Sequence, residues 1–356
     1  MSAFRNERNS WTAKFYYRDW NGKKRQKKKE GFETKKEAVL YEEDFLANTA
    51  GSPDIMFGRM CSLYLDDCRT RLKPTTVATK ENTVSKQILP YFGELRINDI
   101  SVGTVRNWQN QLIASDAHYS PTYLRACHNQ LSSIFNFACK YYNLPSNPAR
   151  ICGSIGSNRR ECASFWTPEE FGLFLSAVSD KPMSETMFSL LFFGGMREGE
   201  LLALGIGDFD FELGTVSITK SYARLKGEDI IQSPKTAKSR RTITMPAEIM
   251  DTVRKYADGL EDHTPDKRLF PVTKKYLHYE MKRGTKLSGV RKIRIHDIRH
   301  SHASLLIELG FSPLLISERL GHEDVSTTLS IYSHLYPNKQ SEVADKLSEV
   351  AAAMSA

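Results

Sequence analysis

Nine histidines occur in this 356-residue chain, and five of them fall within residues 295–334: His296, His300, His302, His322 and His334. Arg299 and Tyr332 lie among them. His296, Arg299 and His300 stand at i, i+3 and i+4, so on a helix their side chains share one face. Leu305, Leu306, Ile307 and Leu309 continue that helix with an apolar stripe toward a core. Gly310 suits its end, Ser312-Pro313 the start of a second short helix, and Gly321 the end of that one, so His322 begins a loop. Tyr332 follows on an amphipathic segment. Two imidazoles, an arginine and a tyrosine together suit phosphoryl transfer with a tyrosine nucleophile. A tyrosine hydroxyl of pKa about 10 is ionised roughly one time in a thousand at neutral pH, a deficit of about 4 kcal/mol. Nearby cations lower that deficit, and they also stabilise a phosphodiester as it becomes five-coordinate. Arginine fits because its planar fork binds two phosphate oxygens and stays charged. A metal site is the rival reading of His-x3-His. Against it, Arg299 sits inside the cluster, and no carboxylate takes a ligand spacing on that face.

Other elements must position these groups. The apolar run 187–193 stops at Gly194-Gly195, and Met196-Arg197-Glu198-Gly199-Glu200 opens the next helix. Leu201, Leu202 and Leu204 would hold that helix in the core, which leaves Arg197 half-buried and in need of a partner such as Glu200 at i+3. Residues 215–221, 230–233 and 241–245 read as three short antiparallel strands. The basic turn 234–240 between the last two carries Lys235 and Lys238, and a lysine there can swing into a site and protonate a leaving oxygen. Helices are expected over 247–257 and 274–282, and a final one over 341–353 with Val343, Leu347 and Val350 on one side. The domain holding all of this begins near residue 164. Thr167 is its first N-cap, with Pro168 at N1, Glu170 at N3, and Trp166 stapled against Phe171.

The net charge is +8, with an isoelectric point near 9.0, which favours a polyanionic partner. Residues 1–29 hold ten Lys/Arg and two acids, a surplus equal to that of the whole chain. They alternate as strands: Trp11, Ala13, Phe15 and Tyr17 on one face, Thr12, Lys14, Tyr16 and Arg18 on the other. Asp19-Trp20-Asn21-Gly22 carries a hairpin signal. The return strand includes Lys23, Lys24, Arg25 and Lys27, a third strand is expected through Gly31-Phe32, and Thr34 with Glu37 caps a helix. So basic a ribbon suits DNA phosphates; a solvated edge kept basic against aggregation is the plainer alternative. Residues 56–142 read as helices, with Val105, Trp108 and Leu112, then Leu124, Leu131, Ile134, Phe135 and Ala138, turned inward. Lys80 and Lys86 lie on the polar side of the second helix, which residues 89–93 should break. Residues 149–163 lack periodicity and read as an extended linker. No apolar run approaches membrane-span length and no signal peptide is visible. The six cysteines form no C-x-x-C pair, so reduced thiols and a cytoplasmic location on DNA are expected.

Gly195-Met196-Arg197 with Glu200 and Leu204, Pro234-Lys235-Thr236, His296-Asp297-Ile298-Arg299-His300, Leu320-Gly321-His322 and Ile331-Tyr332 with His334 occur in that order. Together they resemble the catalytic domain of the tyrosine recombinases, the phage integrases. The resemblance implies a multidomain, mainly α protein. A β-sheet-plus-helix arm-type DNA-binding domain would span 1–50, a helical core-binding domain 54–148, a linker 149–163, and an α+β catalytic domain with a small three-stranded antiparallel sheet 164–356. It implies Tyr332 as nucleophile forming a 3′-phosphotyrosyl link, Arg197 and Arg299 clamping the phosphate, and His296 and His322 bonding it and shuttling protons. Lys235 would be the general acid, with Lys238 its rival, and Glu200 would support Arg197. Tyr336 is a rival to Tyr332. The DNA contacts expected are Lys14, Tyr16, Arg18, Lys23, Lys24, Arg25, Lys27, Lys80 and Lys86. The resemblance further implies no metal, ATP or other cofactor, and a homotetramer on double-stranded attachment-site DNA of a phage or conjugative transposon. An excisionase or host DNA-bending protein would assist. The alternatives are a metal-dependent tyrosine nickase using His300-Ser301-His302, a type IB topoisomerase, a chromosome-dimer resolvase, and a non-enzymatic DNA-binding regulator.

Overall fold

The computed structural model describes residues 3–5, 10–18, 24–50, 55–157, 164–234, 237–332, 347, 348 and 354. The chain divides into two units, residues 1–160 and 161–356.

In the first unit, β1 (Ala3–Arg5), β2 (Trp11–Arg18) and β3 (Lys24–Phe32) form an antiparallel sheet with β2 central. The expected third strand is a correction: Gly31-Phe32 ends β3, and the extra strand is β1, paired Ala3 to Ala13. The alternation of β2 turns Ala13 and Phe15 onto α1 (Lys35–Ala50), where Tyr41 and Phe45 complete a small aromatic core. Thr34 accepts the Glu37 N–H at the start of α1, while the Glu37 carboxylate takes the N–H of Glu33. The turn 19–23 lies outside the described residues.

Helices α2 (Phe57–Arg71), α3 (Pro74–Thr83), α4 (Leu89–Phe92), α5 (Val102–Ile113), α6 (Pro121–Tyr141) and α7 (Pro148–Cys152) make the other part of this unit. The inward residues named from periodicity on α5 and α6 are all buried, around Phe57, Phe92, Trp108 and Phe135. Two expectations need correction. Residues 89–93 do not break the second helix: a π-helical turn over Val84–Ile88 joins α3 to α4. That wider turn accommodates Pro90, which has no N–H to donate and whose ring crowds the preceding turn. Residues 149–157 are not an extended linker. Ala149, Cys152 and Ile155 are buried in the helical core. Asn147 caps α7 and bonds Ser132 and Asn136, and Gln109 bonds the Gly153 carbonyl. Cys61, Cys68, Cys127, Cys139 and Cys152 are free thiols.

In the second unit, α8 (Pro168–Val178) starts with the expected Thr167–Glu170 capping box, although the Trp166 ring packs on Phe174. Next come α9 (Pro182–Gly194), α10 (Glu198–Leu201), β4 (Phe209–Asp210), β5 (Thr215–Ile218), β6 (Ser221–Leu225), β7 (Glu228–Gln232) and β8 (Arg241–Thr244). Strands β4, β5 and β8 form one antiparallel sheet, and β6 with β7 a separate hairpin. The stretch 215–221 is therefore two strands, and residues 230–233 pair with β6 rather than with the sheet. Helices α11 (Ala247–Asp258), α12 (Lys274–Ser288), α13 (Ile295–Glu308), α14 (Pro313–Leu320) and α15 (Val325–Tyr332) complete the unit. Leu309 is exposed rather than part of the stripe, because α13 has ended before it. Of the three residues expected to form the face of a final helix, Val343 and Val350 lie outside the described residues, and Leu347 is exposed.

Helix α12 packs on α8 at Gly284, where an added Cβ would lie 2.6 Å from Val178 Cγ1 and against the Phe174 ring. Gly284→Ala gains about 1 kcal/mol of helix propensity but overpacks a fully buried seam, which costs about 1–3 kcal/mol. A net loss of stability in urea titration is expected; an unchanged midpoint would show that the seam relaxes freely.

Candidate active site

Helix α13 carries the centre of the site. Arg299 is buried at 3% exposure. Its guanidinium donates to the Gly195 carbonyl at 2.7 Å and the Leu320 carbonyl at 2.5 Å. Both acceptors end helices, where carbonyls lack intrahelical partners. Gly195 ends α9 in the left-handed conformation, φ +57°, and an added Cβ there would lie 2.5 Å from His302 Cδ2. Gly321 ends α14 likewise, φ +66°. The Arg197 Nη2 reaches the Gly321 carbonyl at 3.5 Å. Two arginines 102 positions apart in the chain thus meet consecutive carbonyls, 320 and 321, immediately before His322.

Glu200 organises the first arginine. Its carboxylate accepts from the Arg197 N–H at 2.9 Å and from Arg197 Nη1 at 2.7 Å. It also accepts from Arg241 Nη2 at 2.9 Å. Burial alone would raise the Glu200 pKa, but the bonds and charges of Arg241 and Arg197 win and hold it at about 2. Arg241 was not singled out by the sequence reading. It also donates to the carbonyls of Arg319 and Ser239, so it ties Glu200, the end of α14 and the basic turn together. A signal was present: Arg241 shares strand parity with Ile243 and Met245, both buried, so a charge had to face inward.

The imidazoles have different surroundings. The His322 Nδ1 lies 2.8 Å from the Thr328 hydroxyl. Burial, then Arg299 and Arg197, push His322 down to about 3. The His300 Nδ1 lies 2.5 Å from the Tyr332 hydroxyl, and burial followed by His296 pushes it down to about 4. His296 is exposed, its ring perpendicular to that of His300 at 5.2 Å between centroids. Tyr332 is 3% exposed, packed with Ala303, Ile307, Ile316 and Leu320. Burial raises its pKa above the usual tyrosine value even though Arg299 pulls the other way. Arg299 is lowered to about 9 by burial and by Arg197 and Arg241, and so stays charged at neutral pH.

His302 does not join this group. Arg319 donates to its Nε2 at 3.2 Å, and Ser301 accepts from the Trp166 N–H. The nickase reading uses His300-Ser301-His302 as part of a metal site, yet a guanidinium occupies His302 Nε2 and the Tyr332 hydroxyl faces His300 Nδ1. Among the described residues, no group of three or more His, Cys, Asp or Glu could hold a metal ion. Lys235, Tyr336 and His334 lie outside the described residues. Lys238 donates to the Glu323 carbonyl at 2.8 Å, beside His322.

The N-terminal sheet sorts its expected DNA contacts by face. Lys14 pairs with Lys28, and Tyr16 with Gln26, on the side away from α1. Lys14, Tyr16, Lys24 and Lys28 are exposed, with the Lys24 ammonium over the Tyr16 ring. Lys28, which forms an ion pair with Glu30, belongs to this face although the sequence reading omitted it. Lys27 faces α1 instead, over the Phe45 ring, and Arg25 shares that side through its pairing with Tyr17. The side chains of Arg18 and Lys23 lie outside the described residues. Lys86 is exposed, but Lys80 is half-buried, bonded to the Tyr64 hydroxyl and Gln130.

Comparison with known proteins matches three segments of the chain to family models. Residues 166–339 match the Phage integrase family, 56–113 the Phage integrase, N-terminal SAM-like domain, and 2–49 the Arm DNA-binding domain. The ICEBs1 integrase of Bacillus subtilis (strain 168) is 31% identical over 313 residues, 84% of each chain. A XerC-like tyrosine recombinase of Caldanaerobacter subterraneus subsp. tengcongensis is 26% identical over 372 residues, 94% of each. Among solved structures, the Tn1549 transposon integrase in complex with a circular intermediate DNA has a TM-score of 0.67 at 18% identity, covering 82% of this chain and 99% of that one. A lambda integrase tetramer bound to a Holliday junction has a TM-score of 0.58 at 16% identity, covering 91% and 96%. The fold is that of the tyrosine recombinases. The chain belongs to the phage integrase family and is a site-specific DNA recombinase. Among the described residues, no helix is long and apolar enough to cross a membrane.

The site makes two stability predictions. His300, His302 and His322 are held well below the 6.5 of a free histidine, chiefly by burial. In the window between about 3 and 6.5 the unfolded chain binds protons that the folded one refuses, so stability falls with pH below 6.5, by up to about 1.4 kcal/mol per pH unit for each imidazole. The thermal midpoint should drop between about pH 7 and pH 5, before unfolded-state carboxylates titrate; a flat profile there would contradict neutral buried imidazoles. Arg241→Met leaves Glu200 buried with one cation fewer and should cost about 3 kcal/mol in urea unfolding; a cost under about 1 kcal/mol would remove Arg241 from its organising place.

Proposed function

We propose that this chain is the integrase of a mobile genetic element, cutting and rejoining DNA through a 3′-phosphotyrosyl link at Tyr332. The observation that carries the site assignment is the convergence of Arg197 and Arg299 on the carbonyls before His322, with Glu200 and Arg241 behind them. Such a pocket has an excess of positive charge and is suited to a phosphodiester. Arg197 and Arg299 hold its two non-bridging oxygens. The His322 Nδ1 lies 2.8 Å from the Thr328 hydroxyl; in this reading the hydroxyl donates to Nδ1, which leaves Nε2–H to donate to the phosphate. His296, at the exposed start of α13, takes a further phosphate contact. Lys235 protonates the leaving 5′ oxygen, with Lys238 placed beside the loop as the alternative donor. Charge stabilisation by these cations makes metal and ATP unnecessary, because the phosphotyrosyl bond keeps the energy of the broken diester.

In this reading the sheet and α1 bind arm-type sites through Lys14, Tyr16, Lys24 and Lys28. Residues 56–157 grip the core site, with Lys86 toward DNA, and residues 164–356 carry out the chemistry. The protein acts as a homotetramer on two duplexes in a bacterial cytoplasm. An excisionase or a host DNA-bending protein sets direction. The folds of DNA-bound integrases, one of them a tetramer on a Holliday junction, support this arrangement.

Covalent trapping tests it. A nicked duplex carrying the attachment site, mixed with the protein in EDTA, should give a DNA-linked band on a denaturing gel. Tyr332→Phe should abolish the band and Tyr336→Phe should leave it. A band that requires magnesium or manganese would favour the nickase instead.

A further inference from the structure

The nucleophile assigned above has a difficulty that Arg197, Arg299, His322 and Lys235 do not solve. Tyr332 is buried, and its hydroxyl must lose a proton as its oxygen bonds to phosphorus. In water only about one tyrosine in a thousand is ionised at neutral pH, and here burial makes ionisation harder. Lys235 and Lys238 are proton donors. His322 has its Nδ1 committed to Thr328, 2.8 Å away. Among the described residues, the group that meets the hydroxyl is not His296, the other imidazole expected to shuttle protons, but His300, Nδ1 to Oη at 2.5 Å, with the ring 5.5 Å from the tyrosine ring. Both partners are held: His300 lies one residue after the buried Arg299 on α13, and Tyr332 ends α15 against the same helix.

Resting on the recombinase reading, we propose that His300 is a catalytic residue whose Nδ1 accepts the Tyr332 proton during cleavage and returns it on rejoining. In the forward step the Tyr332 Oη–phosphorus bond forms and the phosphorus–O5′ bond breaks. The phenolic proton passes to His300 Nδ1, and the 5′ oxygen takes a proton from the lysine general acid. Rejoining reverses each transfer, so the cycle needs no outside base. The imidazole starts neutral, as an acceptor must. The charged and titratable groups around it are His296, Asp297, Arg299 and Arg294 from α13, Tyr332 from α15, and His322 from the loop after α14. Asp297 favours the imidazolium while the arginines oppose it. An incoming phosphodiester offsets the arginines, so proton uptake becomes easier when DNA is in place. The neighbouring arginines then face an anion rather than one another.

The test measures the rate of covalent adduct formation by the full-length protein on a nicked attachment-site duplex in EDTA, from pH 5 to 9. His300→Ala and His300→Gln stand beside the wild type and Tyr332→Phe, and DNA affinity is checked by gel shift. General-base help is worth about 10²–10⁴-fold, so His300→Ala should slow adduct formation at least about 100-fold with DNA affinity kept. Glutamine keeps a polar side chain of similar size in the site but cannot carry the proton at these pH values, so His300→Gln should be equally slow. Added imidazole should speed His300→Ala and leave His300→Gln unchanged. His300→Gln at the wild-type rate would reduce the contact to positioning and overturn the proposal. So would His300→Ala at or above the wild-type rate, which would make the contact a resting latch, or a slow His300→Ala that imidazole does not speed. A wild type that forms no adduct would fail the recombinase reading itself, and the proposal with it.

Discussion

Everything at this site depends on gathering cations where water is scarce. Arg299, Arg241 and Arg197 converge within one unit, and Arg299 is almost wholly enclosed. Like charges so close would drive the site apart unless something holds them. Among the described residues, Glu200 is the carboxylate that touches both Arg197 and Arg241, and it is itself buried. A lone carboxylate cannot neutralise three guanidiniums, so backbone carbonyls at the ends of α9 and α14 take the remaining donors. Helix C-termini carry partial negative charge and unpaired acceptors, and this is why they face the arginines. The pocket is left short of negative charge, which in the proposed function a phosphodiester supplies. In that reading stability and function are opposed: the arrangement proposed to bind the phosphate is the one least comfortable without it.

The same tension explains the imidazoles. Each is kept neutral by burial and by the arginines around it. A neutral histidine can accept through one nitrogen and donate through the other, whereas a protonated one can only donate. With Thr328 on the Nδ1 of His322, and Tyr332 on that of His300, each ring keeps its second nitrogen for a separate role among the described residues. The cations that would bind phosphate therefore also hold the histidines in the protonation state that proton transfer requires. No separate device is needed for it.

Much of this was legible in the chain, because helix signals are local. The i, i+3, i+4 spacing put His296, Arg299 and His300 at the start of α13. Ser312-Pro313 and Gly321 bounded α14, and Thr167 with Glu170 started α8. What was missed depends on contacts distant in sequence. Residues 147–157 have no periodicity of their own and are held at Asn147 by Ser132 and Asn136 and at Gly153 by Gln109, all from other helices. Strand partners near residue 230 could not be told from pattern alone, because β6 and the sheet strands offer similar edges. Arg241 reads as part of a basic turn until Glu200, 41 residues earlier, is seen against it. The Tyr332–His300 contact spans 32 residues, and nothing in their types announces it.

The distribution of charge divides the work of holding DNA. Residues 1–29 carry a surplus equal to that of the entire chain, so the remaining 327 residues are neutral in sum. Long-range attraction for DNA follows net charge and is screened within about 8–10 Å at ordinary salt. It therefore belongs to the first unit, where residues 54–160, with 13 Lys/Arg and 7 Asp/Glu, add a surplus of +6 to the +8 that residues 1–29 bring to the N-terminal sheet. There, Lys27 and Lys29 lie over the rings of Phe45 and Tyr41, which leaves the opposite face to present Lys14, Lys24 and Lys28 outward. The second unit, residues 161–356, sums to −2 and cannot attract DNA by net charge; its clustered arginines act locally and, in the proposed function, hold one phosphate. Capture by an exposed basic face and grip by enclosed arginines need opposite surroundings, one solvated and one dry. Placing them in separate units lets each be built without weakening the other.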